Sequence, residues 1–371
     1  MVSPWISCLA LVSDVSNINK KKCAPIFLFI AGFVLVVIIM FVANYRSALE
    51  QELQAPATGI KKLYTAEEAL IAISMANEVW VWDWAGLGDK PRTKAVKATK
   101  VLWLPGEKLI LATSGISSDL FINDFEKGKN HKRLLFDNAW QCELLGIGGG
   151  SRFVAIALME NNGQSRGASN SKRFRFEMLS PGLEKLVPVT TIDKKDNTLI
   201  LYELDVSDDG LFIAVVGQAN DFAWIGLFDV TERRIVWEKV VETSKDFTDV
   251  AFSPNGEVVY AGGEGRYLYS FETTSGRVAS QLLIDQEQLT ASFNEQRVTC
   301  AEVSPDGLVV AAGVNPGNKV YFWDSRTGER LGVVGGCRGL NNLAFSPDSS
   351  TFVVAGRNYG GSLKVRRVPE K

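Results

Sequence analysis

The chain has 371 residues, 46% of them hydrophobic and 22% charged, with a formal net charge of −2 at neutral pH. That is enough apolar material to bury a large core. The charge balance lacks the basic excess that phosphate neutralisation requires, so nucleic acid is not an expected partner. One histidine in the whole chain, His131, excludes multi-histidine metal sites.

In chain order, Met1 to Ala24 is short, polar-mixed and ends in Lys20-Lys21-Lys22. Pro25 to Ala43 follows without a charge or a side chain that needs a hydrogen bond. At about 1.5 Å rise per residue such a helix spans roughly the 30 Å hydrocarbon layer, which predicts a single transmembrane helix. A buried core helix fits less well because the run is apolar all round. A cleavable signal peptide fits less well because its apolar region is shorter and no clear A-x-A site follows. The triple lysine before the span predicts a cytoplasmic N-terminus and a non-cytoplasmic remainder. No Asn opens an Asn-x-Ser/Thr sequon, which favours a bacterial inner membrane and periplasm over a glycosylated secretory route. Asn44 to Gly59 reads as a stalk, helix-compatible over Arg46 to Gln54 and broken at Ala55-Pro56-Ala57-Thr58-Gly59.

From Ile60 onward one grammar recurs. An apolar strand enters Ser304-Pro305-Asp306-Gly307, and Leu308 to Ala312 leaves it as a run continuous enough to imply burial on both sides. Lys319 to Asp324 then ends at Ser325-Arg326-Thr327-Gly328. Pro presets φ, Asp bonds its own backbone and Gly takes the left-handed conformation, so each tetrapeptide is a turn. Ser207-Asp208-Asp209-Gly210, Ser253-Pro254-Asn255-Gly256 and Ser346-Pro347-Asp348-Ser349 repeat the first turn. Third strands are expected at Val79 to Trp84, Asp119 to Phe125, Lys172 to Met178, Ala223 to Asp229, Arg266 to Glu272, Lys319 to Asp324 and Ser362 to Val368.

A period near 40 to 45 residues with Trp-Asp closing a strand, at Trp82-Asp83 and Trp323-Asp324 and softened to Phe228-Asp229, resembles the WD40 β-propeller family. The family's Gly-His dipeptide is missing. The fold expected is all-β: a seven-bladed WD40-like β-propeller over residues 60–371, preceded by the transmembrane helix. Ile60 to Tyr64 is the expected closing strand on the outside of the last blade.

Other motifs read as structure. Gly146-Ile147-Gly148-Gly149-Gly150-Ser151 sits before a strand, so it is a hairpin turn and not a phosphate loop. Asp205 with Asp208 and Asp209 lacks calcium-loop spacing and reads as turn chemistry. His131 stands among Lys129, Lys132 and Arg133 in a polar connection and reads as solvent-facing. Cys142, Cys300 and Cys337 match no zinc or redox spacing and read as buried small hydrophobes, with one bridged pair left open.

The WD40 resemblance implies a non-enzymatic protein-interaction scaffold, here membrane-anchored through Pro25 to Ala43, that binds a protein or peptide across its loop face. On this chain that face carries Trp140, Arg166, Phe222, Arg266, Arg357 and Tyr359, the 160–172 loop and the 288–296 connection. Aromatics and Arg are what interface hot spots favour. No catalytic residue, metal ligand or cofactor motif is found. The alternatives are a propeller enzyme of hydrolase or lyase type, or a small-ligand site, at the central channel. Convergent ionisable groups there would favour the enzyme, and an Arg-rich and aromatic rim over a filled channel the scaffold.

Overall fold

The computed structural model describes residues 51–66, 68–95, 100–104, 108–112, 119–125, 127, 130–135, 140–148, 153–160, 172–179, 186–194, 198–284, 296–357 and 363–369. Their strands form seven four-stranded antiparallel sheets, each a blade running from the central axis outward. Blade 1 is Ile60–Ala66, Ala69–Ser74, Glu78–Asp83 and Arg92–Ala95. Blade 2 is Lys100–Leu104, Lys108–Ala112, Asp119–Asp124 and Asn130–Leu135. Blade 3 is Trp140–Gly148, Phe153–Glu160, Lys172–Leu179 and Leu186–Lys194. Blade 4 is Ile200–Val206, Phe212–Ala219, Phe222–Asp229 and Arg234–Val241. Blade 5 is Asp249–Phe252, Val258–Gly262, Tyr267–Glu272 and Val278–Leu283. Blade 6 is Arg297–Val303, Val309–Asn315, Lys319–Asp324 and Arg330–Gly335. Blade 7 is Leu340–Phe345, Thr351–Gly356 and Leu363–Arg367, with Gln51–Leu53 as its outer strand.

Two expectations are corrected here. The ring is closed by Gln51–Leu53, which pairs with Leu363 to Val365, and not by Ile60 to Tyr64, which lies in the innermost strand of blade 1. Residues read as a helix-compatible stalk are therefore part of the sheet: pairing with an open edge overrides local propensity. The transmembrane helix in the expected fold is not carried forward. No helix among the described residues is long and apolar enough to cross a membrane, and Pro25 to Ala43 lies outside them. The non-cytoplasmic location rested on that span and loses its basis with it.

The turns between first and second strands share one geometry. Ser304 Oγ donates to Asp306 Oδ1 at 2.6 Å and accepts the Val309 N–H at 2.9 Å, while Gly307 stands at φ 72°. Ser207 with Asp209, Ser253 with Asn255 and Ser346 with Asp348 repeat the hydroxyl contact at 2.6, 2.7 and 2.6 Å. In blade 7 Ser349 replaces the glycine and still adopts φ 60°; its Oγ accepts the Asp306 N–H of blade 6 at 3.0 Å, an inter-blade bond that glycine would lack. The second strands are buried on both faces, with Val310, Ala311 and Ala312 all fully buried. That explains why they read as continuous apolar runs.

Trp323 is buried and stacks on Tyr321 with ring centroids 5.9 Å apart, and Asp324 Oδ1 accepts the N–H groups of Arg326 and Thr327. Trp82 is equally buried, yet its Nε1 finds no partner among the described residues, and Asp83 is exposed. Both tryptophans serve the core, whereas only Asp324 caps its turn, since Asp83 makes no side-chain cap bond.

Candidate functional site

The innermost strands line the axis, and a β-bulge sets what they show it. In blades 1, 4, 6 and 7 the register slips between Ile60 and Lys62, Leu201 and Glu203, Val298 and Cys300, and Leu340 and Asn342. A bulge re-aims the side chain beside it. Lys62, Glu203, Cys300 and Asn342 follow the slip, and Asp249 holds the same place in blade 5, four residues before its turn serine as Glu203, Cys300 and Asn342 are before theirs.

Side chains from this layer and the one below staple blade 1 to blade 2 and blades 4, 5, 6, 7 and 1 in succession. Asp249 Oδ2 accepts the Ala301 N–H of blade 6 at 2.6 Å, and Asn342 Oδ1 the Leu63 N–H of blade 1 at 3.2 Å. Asp205 Oδ2 accepts the Phe252 N–H of blade 5 at 2.8 Å, and Tyr64 Oη that of Trp103 in blade 2 at 2.5 Å. Hydroxyls do the converse: Thr248 Oγ1 donates to the Val298 carbonyl at 2.6 Å and Thr299 Oγ1 to that of Leu340 at 2.8 Å. Because four strands per blade leave the inner edge unpaired, these bonds meet backbone groups that would otherwise face the axis alone.

Along the axis runs a cavity of about 690 Å³ whose wall includes Lys62, Glu203, Asp205, Asp249, Glu302 and Asn342. Lys62 Nζ, from blade 1, lies 3.3 Å from Glu203 Oε1 of blade 4. Burial works against the Lys62 ammonium, but Glu203 outweighs it and holds the pKa above the ordinary value. Burial pushes Asp205 up to about 7 in spite of its two backbone N–H donors. It pushes Asp249 up to about 8, reinforced by the Glu203 charge, and raises Glu302 well above the carboxylate range, reinforced by Asp249 and Asp205. The axis therefore collects ionisable groups from four blades, but Asp205 and Asp249 are committed to backbone partners. Among the described residues no cluster of three or more His, Cys, Asp or Glu is placed to hold a metal ion.

The face where the innermost strands begin is the loop face. Phe222 is 39% exposed at the second-to-third-strand turn of blade 4, and Arg266 is exposed at the equivalent turn of blade 5. Arg357 is exposed at the same turn of blade 7 and reaches the cavity wall. Trp140 is buried, with the guanidinium carbons of Arg175 and Arg173 at 4.7 and 5.7 Å from its ring centre, so it presents cations and not its own surface. Arg166, Tyr359, the 161–171 part of the long loop and the 288–295 part of the connection lie outside the described residues. His131 belongs to the outer strand of blade 2 and not to a connection.

The sequence reading missed Ile200 and Tyr202, 41% and 37% exposed at the loop-face end of blade 4. Next to Tyr202 an ion cluster joins blades 5 and 6: Arg297 meets Asp246 at 2.5 Å and Glu264 at 3.6 Å, and Lys245 meets Glu264 at 2.5 Å. Ile200 and Tyr202 flank buried Leu201 on the opposite face of the strand, and that alternation was a signal present in the sequence. Cys300 and Cys337 are buried and Cys142 half-buried, and none of the three is in a disulfide.

Radial four-stranded blades around an axial cavity define a β-propeller. The chain is similar to a chain in the crystal structure of the mitotic checkpoint complex, with a TM-score of 0.64, 14% identity and coverage of 87% of this chain and 92% of that one. It is similar also to the Cps50 (Swd1) β-propeller domain of Myceliophteria thermophila, with a TM-score of 0.61, 13% identity and coverage of 86% and 98%. In sequence it is 23% identical over 192 residues to the periodic tryptophan protein 2 homolog of Dictyostelium discoideum, covering 40% of this chain and 21% of that protein. The chain thus matches about a fifth of that relative's length. No protein-family model matches.

Proposed function

We propose that the protein is a non-enzymatic interaction scaffold that holds a protein or peptide partner on the loop face of blades 4 and 5. The observation that carries this is the grouping of exposed Ile200, Tyr202 and Phe222 at one end of blade 4, beside the Arg297, Asp246, Glu264 and Lys245 cluster. Aromatic anchors bordered by charge are what a hot spot and its polar rim require. Arg266 extends the surface on blade 5, and Arg357 marks its channel side. The presence of a similar chain in the mitotic checkpoint complex, an assembly of proteins, agrees with such a role.

The test compares two double variants of the full chain at equal expression. Tyr202→Ala with Phe222→Ala alters the loop face; Leu211→Ser with Leu308→Ser alters exposed residues on the opposite face. Partners that co-purify with the wild type are expected to fall by about tenfold or more with the first variant, because one hot-spot truncation typically costs about 2 kcal/mol. Retention by the first variant, or equal loss with the second, would sink the proposal.

A further inference from the structure

The end of the axial cavity away from the loop face is built differently from the rest. Pro254, Pro305 and Pro347, from the turns of blades 5, 6 and 7, line it, and Asp208 joins them from blade 4. Inward of this apolar collar stands Glu302, which accepts no hydrogen bond from any described residue. Deeper still, Lys62 from blade 1 already rests its ammonium on Glu203, so the acid wall accommodates an alkylammonium. Asn342, 9% exposed, lines the same cavity with Oδ1 taken by Leu63 and with its Nδ2 donor unpaired among the described residues. At the opposite mouth Lys61, Arg297 and Arg357 line the cavity and disfavour entry of a cation from the loop face.

We propose that this end of the channel binds an aliphatic primary amine, its methylene arm against Pro254, Pro305 and Pro347, its ammonium on Glu302, and a second cationic end, where there is one, on Asp208. Arm and collar match in polarity, and the inner carboxylate matches the charge. The shared chemistry has two sources, a free linear diamine and the lysine side chain of a partner segment. Burial, with Asp249 and Asp205 nearby, raises the Glu302 pKa above the ordinary carboxylate value, and an ammonium beside it favours the ionised form. The charged and titratable groups that share the cavity wall are Lys61, Lys62, Tyr64, Glu203, Asp205, Asp208, Asp249, Arg297, Cys300 and Arg357.

Calorimetric titration of the full chain with 1,4-diaminobutane and with Nα-acetyl-lysine amide tests this. Saturable one-to-one binding of at least one probe is expected. Glu302→Gln, nearly isosteric, is expected to weaken binding by about tenfold or more, as loss of a charged hydrogen bond does. Glu257→Gln, an exposed acid on the same face, is expected to leave it unchanged. Preference for the diamine assigns the site to a free diamine, through Asp208; equal binding assigns it to a lysine side chain. Should Glu302→Gln unfold the chain, Lys62→Met replaces it, and tighter binding is expected because the resident ammonium is gone. No saturable binding of either probe, or binding equally affected by Glu302→Gln and Glu257→Gln, overturns the proposal.

Discussion

Asp249 shows how a polar residue at the start of an innermost strand becomes a structural device once it faces the next blade. Its carboxylate holds the Ala301 N–H at 2.6 Å, so Asp249→Ala leaves that donor unpaired and is expected to cost about 1–3 kcal/mol, measurable by urea unfolding. Its pKa of about 8, and that of Asp205 of about 7, are raised above the ordinary carboxylate value. The folded chain therefore binds these protons more tightly than the unfolded one. The stabilisation that follows is complete below about pH 4, the unfolded carboxylate value, and is lost as pH rises through 7 and 8. Melting temperature is expected to fall between pH 6 and pH 9, and less steeply in Asp249→Asn, which keeps an acceptor for Ala301 but cannot ionise. A melting temperature that rises over this interval, or equal slopes in both proteins, would contradict the assignment. None of this was legible in the sequence. Asp205, Asp249, Glu302 and Lys62 belong to four blades, and side chains that meet across an axis leave no spacing to read.

At the level of the element the sequence spoke more clearly. A Ser-Pro-Asp-Gly turn states its own hydrogen bonds, and a run such as Val309 to Val314 states burial on both faces, so first, second and third strands followed from local chemistry. Trp140 was misjudged as surface because the cations that cover it, Arg173 and Arg175, stand on the third strand of the same blade and not beside it in sequence. Two turns of the same grammar also differ in ways only packing reveals. Gly210 and Gly256 both stand near φ 70°, at 73° and 70°. A Cβ on Gly256 meets nothing within 4 Å, whereas one on Gly210 falls 2.6 Å from the Phe153 ring of blade 3. Gly256→Ala is expected to cost only the left-handed backbone penalty, about 1–2 kcal/mol. Gly210→Ala adds displacement of a ring at a blade interface and is expected to exceed it by about 1 kcal/mol or more. Chemical denaturation of the two variants side by side decides this, and equal losses would show that Phe153 moves aside freely.

For the molecule as a whole the decisive element is its shortest strand. Three residues carry no periodicity, and Gln51-Glu52-Leu53 sits in a stretch whose composition suits a helix, so local reasoning assigned closure to the more strand-like Ile60 to Tyr64. The ring needs both: Ile60–Ala66 begins blade 1 on the axis, and Gln51–Leu53 ends blade 7 on the rim. Leu53 secures the closure, being 4% exposed and packed with Ile60, Leu70, Trp82 and Leu363, residues of blades 1 and 7 alike. Leu53→Asp places a charge in that cluster. Because an unpaired buried charge is strongly disfavoured, the outer strand is expected to detach and leave the edge of Leu363–Arg367 open. Hydrogen exchange read by mass spectrometry is expected to show faster exchange across Leu363–Arg367 and Ile60–Ala66, while blades 4 and 5, far round the ring, keep their protection. An open edge also predicts concentration-dependent self-association that Leu53→Ala, with a cavity cost of about 2–5 kcal/mol but no charge, shows to a lesser degree. Uniform loss of protection in all seven blades would mean that the ring unfolds as one unit and that closure is not a separable step. Unchanged exchange at Leu363–Arg367 would mean that Gln51–Leu53 is not what holds the last blade.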